Sequence, residues 1–347
     1  MTPPDPDLLP LDRVLPLVAA AAGDDAWLSA TASLVAGGKS NLTFQLACAA
    51  GRLVLRRPPA GELLATAHDM AREVRVQRAL GGSAVPVPRI VLDDDGSAFG
   101  VPFYVMSLVE GDVVRDGLPP WLADDLETRH RLGLGLVDTL ADLHAVDPEA
   151  VGLGDFGRPA GFLERQVRRW GRQWEASRTE QVEEVDRLAG LLHDLLPESP
   201  APTVVHGDFR LDNCVVGPGE RPVRGVLDWE MSTLGDPLTD VGMLLFYWVE
   251  PGEPPSPLSP AGTAYDGFPR RAEVVERYAA RTGRDLGHLW FYLAFAHLKF
   301  AVITQGIRVR VDSGAMAGQD FGDLRDEVRR VAAAGLAVVD EHVRHAG

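Results

Sequence analysis

The stretch "TVVHGDFRLDNCVV", residues 203–216, places the strongest constraint on what this chain can fold into. Its apolar ends, Val204-Val205 and Cys214-Val215-Val216, predict two short buried strands joined by a tight loop. Five polar residues lie between these strands: His206, Asp208, Arg210, Asp212 and Asn213. Desolvating so many polar groups costs free energy unless each is paired, so the composition of this loop indicates chemistry rather than packing.

A lone acid follows the next predicted strand. The hairpin strand "VRGVLDWE" places Asp228 directly after an apolar pair. Mg²⁺ demands oxygen ligands, which the Asn213 amide and the Asp228 carboxylate could supply. The Asp208 carboxylate could orient or deprotonate a hydroxyl group. We therefore interpret Asp208, Asn213 and Asp228 as catalytic, the last two as metal ligands. A hydrogen-bonded turn with an acid nearby by chance is the competing interpretation.

A loop Asp, a loop Asn and a hairpin Asp form the layout of the protein-kinase catalytic apparatus. "HGDFRLDN" followed by "LDWE" resembles the aminoglycoside phosphotransferase family, a branch of the kinase-like fold. Through "VLRRPPAGELLATAHDMAREVRVQRAL" and "WFYLAFAHLKFAVITQGI", the chain more closely resembles kinase-like domains found fused to acyl-CoA dehydrogenase modules. The resemblance implies a phosphotransferase that uses ATP and Mg²⁺ to phosphorylate an alcohol group of a small molecule.

The order of predicted elements agrees with such a fold. A chain of 347 residues is long for a single core. Apolar alternation predicts about five strands in the first hundred-odd residues, with one helix over 65–80, whereas 121–147, 161–195 and 271–345 are predicted to be helical. We expect an α+β, bilobal protein-kinase-like fold. Its small β-rich nucleotide-binding lobe would span 1–108, and its larger, mainly helical catalytic and substrate-binding lobe would span 109–347.

The resemblance places the phosphate-covering loop on "GGKSNLTF". Four loop residues are expected to bind the nucleotide: Gly37, Gly38, Ser40 and Asn41. The two glycines let backbone N–H groups approach phosphate oxygens. A Walker A loop is excluded, because that pattern requires glycine where Ser33 stands and a helix where a strand is predicted. The interlobe hinge corresponds to "PFYVMSLVEG", and there Ser107 and Val109 are expected to meet the adenine.

Kinases place a lysine on the third strand, and this chain has none there. Its lysines are Lys39 and Lys299, and "LVLRR" offers Arg56 at the matching position. Arginine keeps the positive charge and adds bidentate geometry toward phosphate. The expected partner of Arg56 is Glu73 on the single helix of this lobe. An ordinary surface acid within "AREVRVQR" is the alternative interpretation of Glu73.

Other polar residues near these motifs are predicted to be structural. His144 in "LADLHAVD" is expected to pack and form hydrogen bonds in the core, and His206 to support the loop. Asp236 and Asp240 follow the hairpin in "STLGDPLTDVG". The family resemblance implies that Asp240 braces the catalytic loop, and a structural role is also the better interpretation of Asp236.

Composition narrows the partners. The net charge of −16, from 34 basic and 50 acidic residues, argues against nucleic acid. The longest apolar run, 241–249, is too short to span a bilayer, and "MTPPDPDLLP" lacks the pattern of a signal peptide. Cys48 and Cys214 both lie in strand-like runs, which fits a reducing compartment. We expect a cytoplasmic protein whose partner is a small-molecule hydroxyl substrate, without nucleic acid or membrane.

The acceptor is open to several interpretations. The resemblance to the dehydrogenase-fused branch implies a hydroxy acid or a hydroxyacyl thioester. The helix "FLERQVRRWGRQWEASR" suits an anionic, partly apolar ligand, although a solvated basic face over two core tryptophans is the alternative. An aminoglycoside acceptor is the rival substrate class. A non-catalytic nucleotide-binding module is the rival function, supported by the missing strand lysine. A protein kinase is disfavoured, since no activation segment follows Asp228.

Overall fold

The computed structural model describes residues 8–35, 41–59, 69–115, 117–254, 256–314 and 321–346. The chain divides into two compact units. The N-terminal unit comprises Met1–Gly111 and Arg224–Ser232, and the C-terminal unit comprises Asp112–Val223 and Thr233–Gly347. An antiparallel sheet dominates the first unit and helices dominate the second, which confirms the predicted α+β, kinase-like fold class.

The N-terminal unit is built on a five-stranded antiparallel sheet with the order β1-β2-β3-β5-β4. Its strands are β1 (Thr31–Leu34), β2 (Leu42–Cys48), β3 (Gly51–Arg57), β4 (Ile90–Asp94) and β5 (Phe103–Ser107). Helix α1 (Leu11–Ala22) precedes the sheet and α2 (Met70–Leu80) is inserted after β3. The five strands and the single inserted helix agree with the sequence prediction for this region.

Alternation along the strands sends side chains to two different helices. Phe103 and Val105 belong to a buried cluster that includes the apolar face of α1. Tyr104 and Met106 belong to a second cluster with the apolar face of α2. Arg56 pairs with Tyr104 across β3 and β5, so it lies on the α2 side of the sheet. This placement directs the guanidinium of Arg56 toward the helix that carries Glu73.

The C-terminal unit carries the loop singled out in the sequence on a short antiparallel pair of strands. Strand β6 (Thr203–Val205) leads into this loop and β7 (Cys214–Val216) leaves it. Strand β8 (Val223–Val226) follows after a turn and lies mostly in the N-terminal unit. In that turn the Gly217 N–H donates to the Pro222 carbonyl over 2.9 Å. Strand β9 (Thr233–Gly235), which the sequence analysis did not predict, pairs with β6. The loop after β6 is therefore anchored by a strand distant in sequence.

Helices form the rest of the C-terminal unit. They are α3 (Pro120–Ala123), α4 (Leu126–His144), α5 (Phe162–Ser177), α6 (Glu183–Asp194), α7 (Leu238–Tyr247), α8 (Arg271–Thr282), α9 (Leu289–Asp312) and α10 (Leu324–Ala346). Helix α9 packs against α5, α6, α7 and α10. A helix enclosed on several sides needs apolar residues around its circumference, as "LWFYLAFAHLKFAV" provides.

All three predicted helical segments are interrupted in the structure, and 271–345 forms the helices α8, α9 and α10. The segment 161–195 forms two helices, because Arg178 after α5 adopts an extended conformation (φ −66°, ψ 134°). The segment 121–147 also splits, because Asp125 caps the start of α4 by accepting the Thr128 N–H over 2.9 Å. No helix in the described part of the chain is long and apolar enough to cross a membrane.

Candidate active site

The loop after β6 brings Asp208 and Asn213 together. The Asn213 Nδ2 donates to the Asp208 carboxylate over 3.0 Å and to the Asp208 backbone carbonyl over 2.8 Å. The loop has one short 3₁₀ turn, Leu211–Asn213, which brings Asn213 back beside Asp208. Because the amide donates through nitrogen, its oxygen Oδ1 is the atom suited to bind a cation. The pair therefore offers a carboxylate for a hydroxyl group and an oxygen for a metal.

Asp240, at the start of α7, braces this loop through its backbone. Its carboxylate accepts the backbone N–H groups of His206 over 2.6 Å and Gly207 over 2.7 Å. Although burial alone would raise the pKa of Asp240, the hydrogen bond from His144 and the backbone donors hold that pKa below its usual value. A fully buried carboxylate held ionised in this way fixes two successive peptide groups. The bracing role predicted for Asp240 is thus observed.

The two histidines support the loop and lie outside the reacting groups. His144 is buried, and its ring nitrogens contact Tyr278 Oη at 2.7 Å and Asp240 at 3.3 Å. Burial lowers the pKa of His144, and its contacts with Asp240 oppose that fall. His206 Nδ1 accepts the Asp208 N–H over 3.2 Å. Both contacts agree with the structural roles predicted for these histidines.

Arg210 is a member of this cluster that the sequence analysis did not assign. Its guanidinium lies 3.2 Å from the Asp208 carboxylate and 3.3 Å from Asp212, and stacks over the Tyr247 ring at 4.7 Å. Burial alone would lower the pKa of Arg210, but the acidic neighbours Asp208, Tyr247 and Asp212 raise it. The basic residue between two acids in "DFRLD" was the available signal.

The N-terminal unit contains a second charged cluster around Arg56. Its Nη2 donates to Asp228 over 2.6 Å, and its Nη1 lies 3.4 Å from Glu73. Glu73 is fully buried and also accepts the Tyr104 hydroxyl over 2.9 Å. Burial raises the pKa of Glu73, while Arg56 and Tyr104 oppose that rise. The predicted pairing of Arg56 with Glu73 is present, and Arg56 additionally joins Glu73 to Asp228.

Asp228 has an unusual backbone. Its φ of 65° places it in the left-handed region, alone among the described non-glycine residues. The segment around it is held within the N-terminal unit, where the Val226 N–H donates to the Pro86 carbonyl and Arg72 donates to the Ser232 carbonyl. A strained aspartate that is held from both sides is typical of functional positions.

Asn213 and Asp228 each carry an oxygen donor of a kind that fits Mg²⁺, and their role as metal ligands stays a prediction. No group of three or more His, Cys, Asp or Glu residues in the described ranges could hold a metal by itself. Mg²⁺ usually takes only one or two protein carboxylates and completes its shell with water and substrate phosphates. Asn213 and Asp228 offer oxygen ligands of this kind. In the N-terminal cluster, Asn41 Oδ1 and Arg56 Nε are buried without a hydrogen-bond partner, as expected beside a polar ligand.

Of the other residues predicted to bind the nucleotide, some lie outside the described part of the chain. Gly37, Gly38 and Ser40 lie outside the described residues. Asn41 is buried, and its Nδ2 lies 3.4 Å from Glu73 Oε1. Ser107 ends β5, where its N–H donates to the Arg89 carbonyl and its hydroxyl accepts the Arg89 N–H. Val109 packs against Gly225 within the N-terminal unit. Their roles toward a nucleotide stay predictions.

Helix α5 separates its tryptophans from its arginines. Trp170 and Trp174 are 5% and 2% exposed, whereas the four arginines lie on the solvent side. Those arginines are Arg165, Arg168, Arg169 and Arg172. Arg168 pairs with Glu164 on the same helix, and Arg165 donates to the carbonyls of residues 158 and 160. This arrangement favours the interpretation of α5 as a solvated basic face over a tryptophan core.

A cavity of about 200 Å³ lies in the C-terminal unit beside Tyr247. Phe246 and His297 form part of its wall, and Arg271 and Arg330 supply the positive groups. Both arginines are paired with acids, Arg271 with Glu253 and Arg330 with Glu327. Because Tyr247 also stacks against Arg210, one side chain lies between the cavity and the Asp208 loop.

The chain is similar to proteins of a known family. The model of a family described as "Phosphotransferase enzyme family" matches residues 31–278. A protein from Rattus norvegicus named acyl-CoA dehydrogenase family member 11 is 36% identical over 321 residues, or 90% of this chain. The alignment covers only 41% of the rat protein, so the chain spans about two fifths of that relative's length.

Solved structures resemble the chain over nearly its whole length. One from Ralstonia eutropha JMP134, named provisionally as an aminoglycoside phosphotransferase, is 34% identical with a TM-score of 0.77. The match covers 90% of this chain and 93% of that one. A more distant structure, 15% identical with a TM-score of 0.60, is an aminoglycoside phosphotransferase mutant bound to AMP-PNP and hygromycin B. It covers 94% of this chain and 98% of its own, and shows the shared fold.

Proposed function

Since the chain belongs to the phosphotransferase enzyme family, we propose that it is a small-molecule kinase that transfers the γ-phosphate of ATP to a substrate hydroxyl in a Mg²⁺-dependent reaction. The observation that carries the proposal is the Asp208–Asn213 pair, joined at 3.0 Å on a loop that Asp240 fixes through two backbone bonds. A loop held this rigidly suits a reaction that depends on positioning and electrostatics.

In this proposal Asp208 acts on the acceptor. One carboxylate oxygen orients the acceptor hydroxyl and receives its proton as the acceptor oxygen bonds to the γ-phosphorus. The bond between the γ-phosphorus and the bridging oxygen breaks, and ADP leaves with that electron pair. The hydrogen bonds from Arg210 and Asn213 hold the carboxylate in one orientation. Asn213 and Asp228 would hold Mg²⁺, which would neutralise the charge that develops on the phosphates.

The nucleotide is assigned to the N-terminal unit. Arg56 supplies the positive charge that kinases place on the third strand, and Glu73, which also accepts the Tyr104 hydroxyl, fixes its guanidinium. Gly37, Gly38, Ser40 and Asn41 would cover the phosphates, and Ser107 and Val109 would meet the adenine. The AMP-PNP complex of a distantly related phosphotransferase supports a nucleotide site in this fold.

A hydroxy acid or hydroxyacyl thioester is the acceptor class that we propose. Support comes from the relative named as an acyl-CoA dehydrogenase family member, which covers 90% of this chain. Support also comes from the cavity beside Tyr247, whose walls combine aromatic rings with Arg271 and Arg330, each paired with an acid. Such a lining suits a compact, largely apolar chain.

Two alternatives remain candidates on particular observations. The hygromycin B complex of a structural neighbour supports an aminoglycoside acceptor. A non-catalytic nucleotide-binding module is supported by the replacement of the strand lysine by Arg56. The presence of Asp208 and Asn213 in hydrogen-bonded contact argues against that module, because nucleotide binding alone does not require a base.

An acceptor screen tests the proposal. The purified chain is incubated with ATP and Mg²⁺ and with hydroxy acids, hydroxyacyl-CoA thioesters or aminoglycosides, and phosphorylated products are detected by mass spectrometry. We expect products from the first two classes that disappear when EDTA is added. Efficient phosphorylation of an aminoglycoside alone would establish the rival substrate class. ATP binding without any phosphorylated product or ATP hydrolysis would establish the non-catalytic module.

A further inference from the structure

Lys299 is a part-buried cation that the proposed mechanism does not use. Only two of the chain's 34 basic residues are lysines, Lys39 and Lys299, and Lys39 lies outside the described residues. Lys299 belongs to α9, the helix that packs against four other helices. Its ammonium lies over the Trp170 ring, 5.8 Å from the ring centroid. A part-buried lysine in a chain that otherwise uses arginine indicates a contact that arginine would not make in its place.

The ammonium of Lys299 contacts the peptide that carries Asp208. Its Nζ donates to the Gly207 carbonyl over 2.9 Å. That carbonyl and the Asp208 N–H belong to one planar peptide group, and the Asp208 N–H donates to His206 Nδ1 over 3.2 Å. Both ends of the peptide are therefore held. The preceding peptide is held by Asp240, which accepts the Gly207 N–H over 2.7 Å.

The conformation at Gly207 makes this restraint necessary. Its φ of 85° lies in the region that glycine enters freely, so the backbone itself gives little resistance to rotation there. A rotation at Gly207 would carry the Asp208 carboxylate away from its place. Lys299 is the cation that opposes such a rotation from α9, whereas Asp240 and His206 act from α7 and from the loop itself.

Acidic neighbours partly offset the effect of burial on the pKa of Lys299. Burial lowers the pKa of Lys299, as does the positive charge of Arg169 and Arg210, while Asp208 and Asp240 oppose that fall. Lysine presents a compact ammonium with three donors, which can bond one carbonyl inside a packed helix face. The wide planar fork of arginine requires more space and more acceptors.

We propose that Lys299 is a positioning residue of the phosphoryl-transfer reaction: by holding the Gly207 carbonyl, it fixes the orientation of the Asp208 carboxylate toward the acceptor. The inference rests on the proposed function, and it adds a residue of α9 to the groups on which that function depends. Since Lys299 acts through Asp208, its loss should lower kcat and leave the KM for ATP unchanged.

Kinetics of Lys299→Met test the role, because methionine keeps the apolar stem and removes the donor. Gln305→Met is the matched control, since Gln305 lies on the same helix and its Nε2 also donates to a backbone carbonyl, that of Ser177, over 2.9 Å. We expect kcat to fall about 10²-fold in Lys299→Met, as for a small displacement of a reacting group, and to stay within about twofold in Gln305→Met. Equal kcat losses in the two variants would overturn the proposal.

A double variant separates positioning from general destabilisation. In an Asp208→Asn background, Lys299→Met should change the remaining kcat by less than about twofold, because residues that act as one unit are not additive. Two losses that multiply would show that Lys299 acts independently of Asp208, which contradicts the proposal.

A measurement that needs no activity completes the test. Protein labelled with nitrogen-15 at lysine Nζ gives two signals, and Lys299→Arg identifies the one from Lys299. We expect that signal to move in Asp208→Asn and to stay in place in Gln305→Met. An immobile Lys299 signal in Asp208→Asn would overturn the coupling itself. If the Lys299 signal moves in Asp208→Asn but the wild type transfers no phosphate, the proposed function is refuted, and the catalytic role of Lys299 with it.

Discussion

Removal of the Arg56 guanidinium should expose how strongly the N-terminal cluster depends on it. Arg56 is 11% exposed in its side chain and lies between Glu73, which is fully buried, and Asp228, which is about one third exposed. Arg56→Met keeps much of the apolar stem in place but leaves Glu73 with no cation at 3.4 Å. The carboxylate must then remain charged in a dry site or take up a proton.

The stability that Arg56→Met should lose follows from the burial of Glu73. Removing one partner of a buried ion pair typically destabilises a protein by about 3–5 kcal/mol, because the other charge is left uncompensated. The Asp228 contact adds little, roughly 0–1 kcal/mol, because water reaches that carboxylate. We therefore expect Arg56→Met to lower the free energy of unfolding by about 3–5 kcal/mol at pH 7.5, almost all of it through Glu73.

The pH dependence of this cost has a definite sign. The pKa of Glu73 is already raised by burial in the wild type, and it should rise further without Arg56. A carboxyl group whose pKa is raised on folding favours the folded state at low pH and loses that contribution as pH rises. The stability deficit of Arg56→Met should therefore shrink between pH 8 and pH 5.

Urea denaturation of five proteins measures these effects. Besides wild type and Arg56→Met, the series contains Arg56→Met/Glu73→Gln, Arg57→Met and Arg57→Met/Glu73→Gln. The double variant carries no buried charge, so we expect it to recover most of the lost stability. Arg57 donates to the backbone carbonyls of Leu8 and Pro58, so Arg57→Met leaves no carboxylate unpaired and should show no recovery with Glu73→Gln. A double variant that is less stable than Arg56→Met would refute the reasoning.

Two further variants probe the molecule, one in each unit. Asp228→Ala should weaken Mg²⁺-dependent ATP binding, measured by calorimetry, and equal affinity with and without the side chain would argue against its role as a metal ligand. Burial lowers the pKa of His297 from 6.5 to about 4, so the unfolded state takes up a proton first as pH falls. Between pH 7.5 and 5 this should cost about 2 kcal/mol of stability. His297→Phe should flatten that decline in urea denaturation, and an unchanged pH dependence would contradict it.

Local patterns in the sequence predicted those features that depend on nearby residues. The resemblance to kinases predicted Arg56 opposite Glu73, and the period of two in β3 agrees with that placement. The spacing in "HGDFRLDN" was enough to place Asn213 beside Asp208, since one tight turn closes over five residues. Because each inference used neighbours in the chain or a known strand–helix order, the structure agrees with it.

Features that depend on distant residues were not predicted. Strand β9 pairs with β6 across about thirty residues, and no pattern in "STLG" indicates its partner. The left-handed backbone of Asp228 depends on contacts of its segment with Pro86 and Arg72, which come from another part of the chain. The contact of Lys299 with Gly207 is of the same kind, since the two residues are 92 positions apart in the sequence.

The central claim is that Asp208 serves a phosphoryl transfer from ATP to a hydroxyl. The most direct measurement compares wild type and Asp208→Asn in a single turnover, with ATP binding and formation of the phosphate ester recorded on the same samples. Loss of a base or orienting group typically costs about 10²–10⁴-fold in rate. The account predicts a fall of that size in phosphate-ester formation while the Kd for ATP with Mg²⁺ stays within about threefold of wild type. An unchanged rate of ester formation in Asp208→Asn would contradict the account.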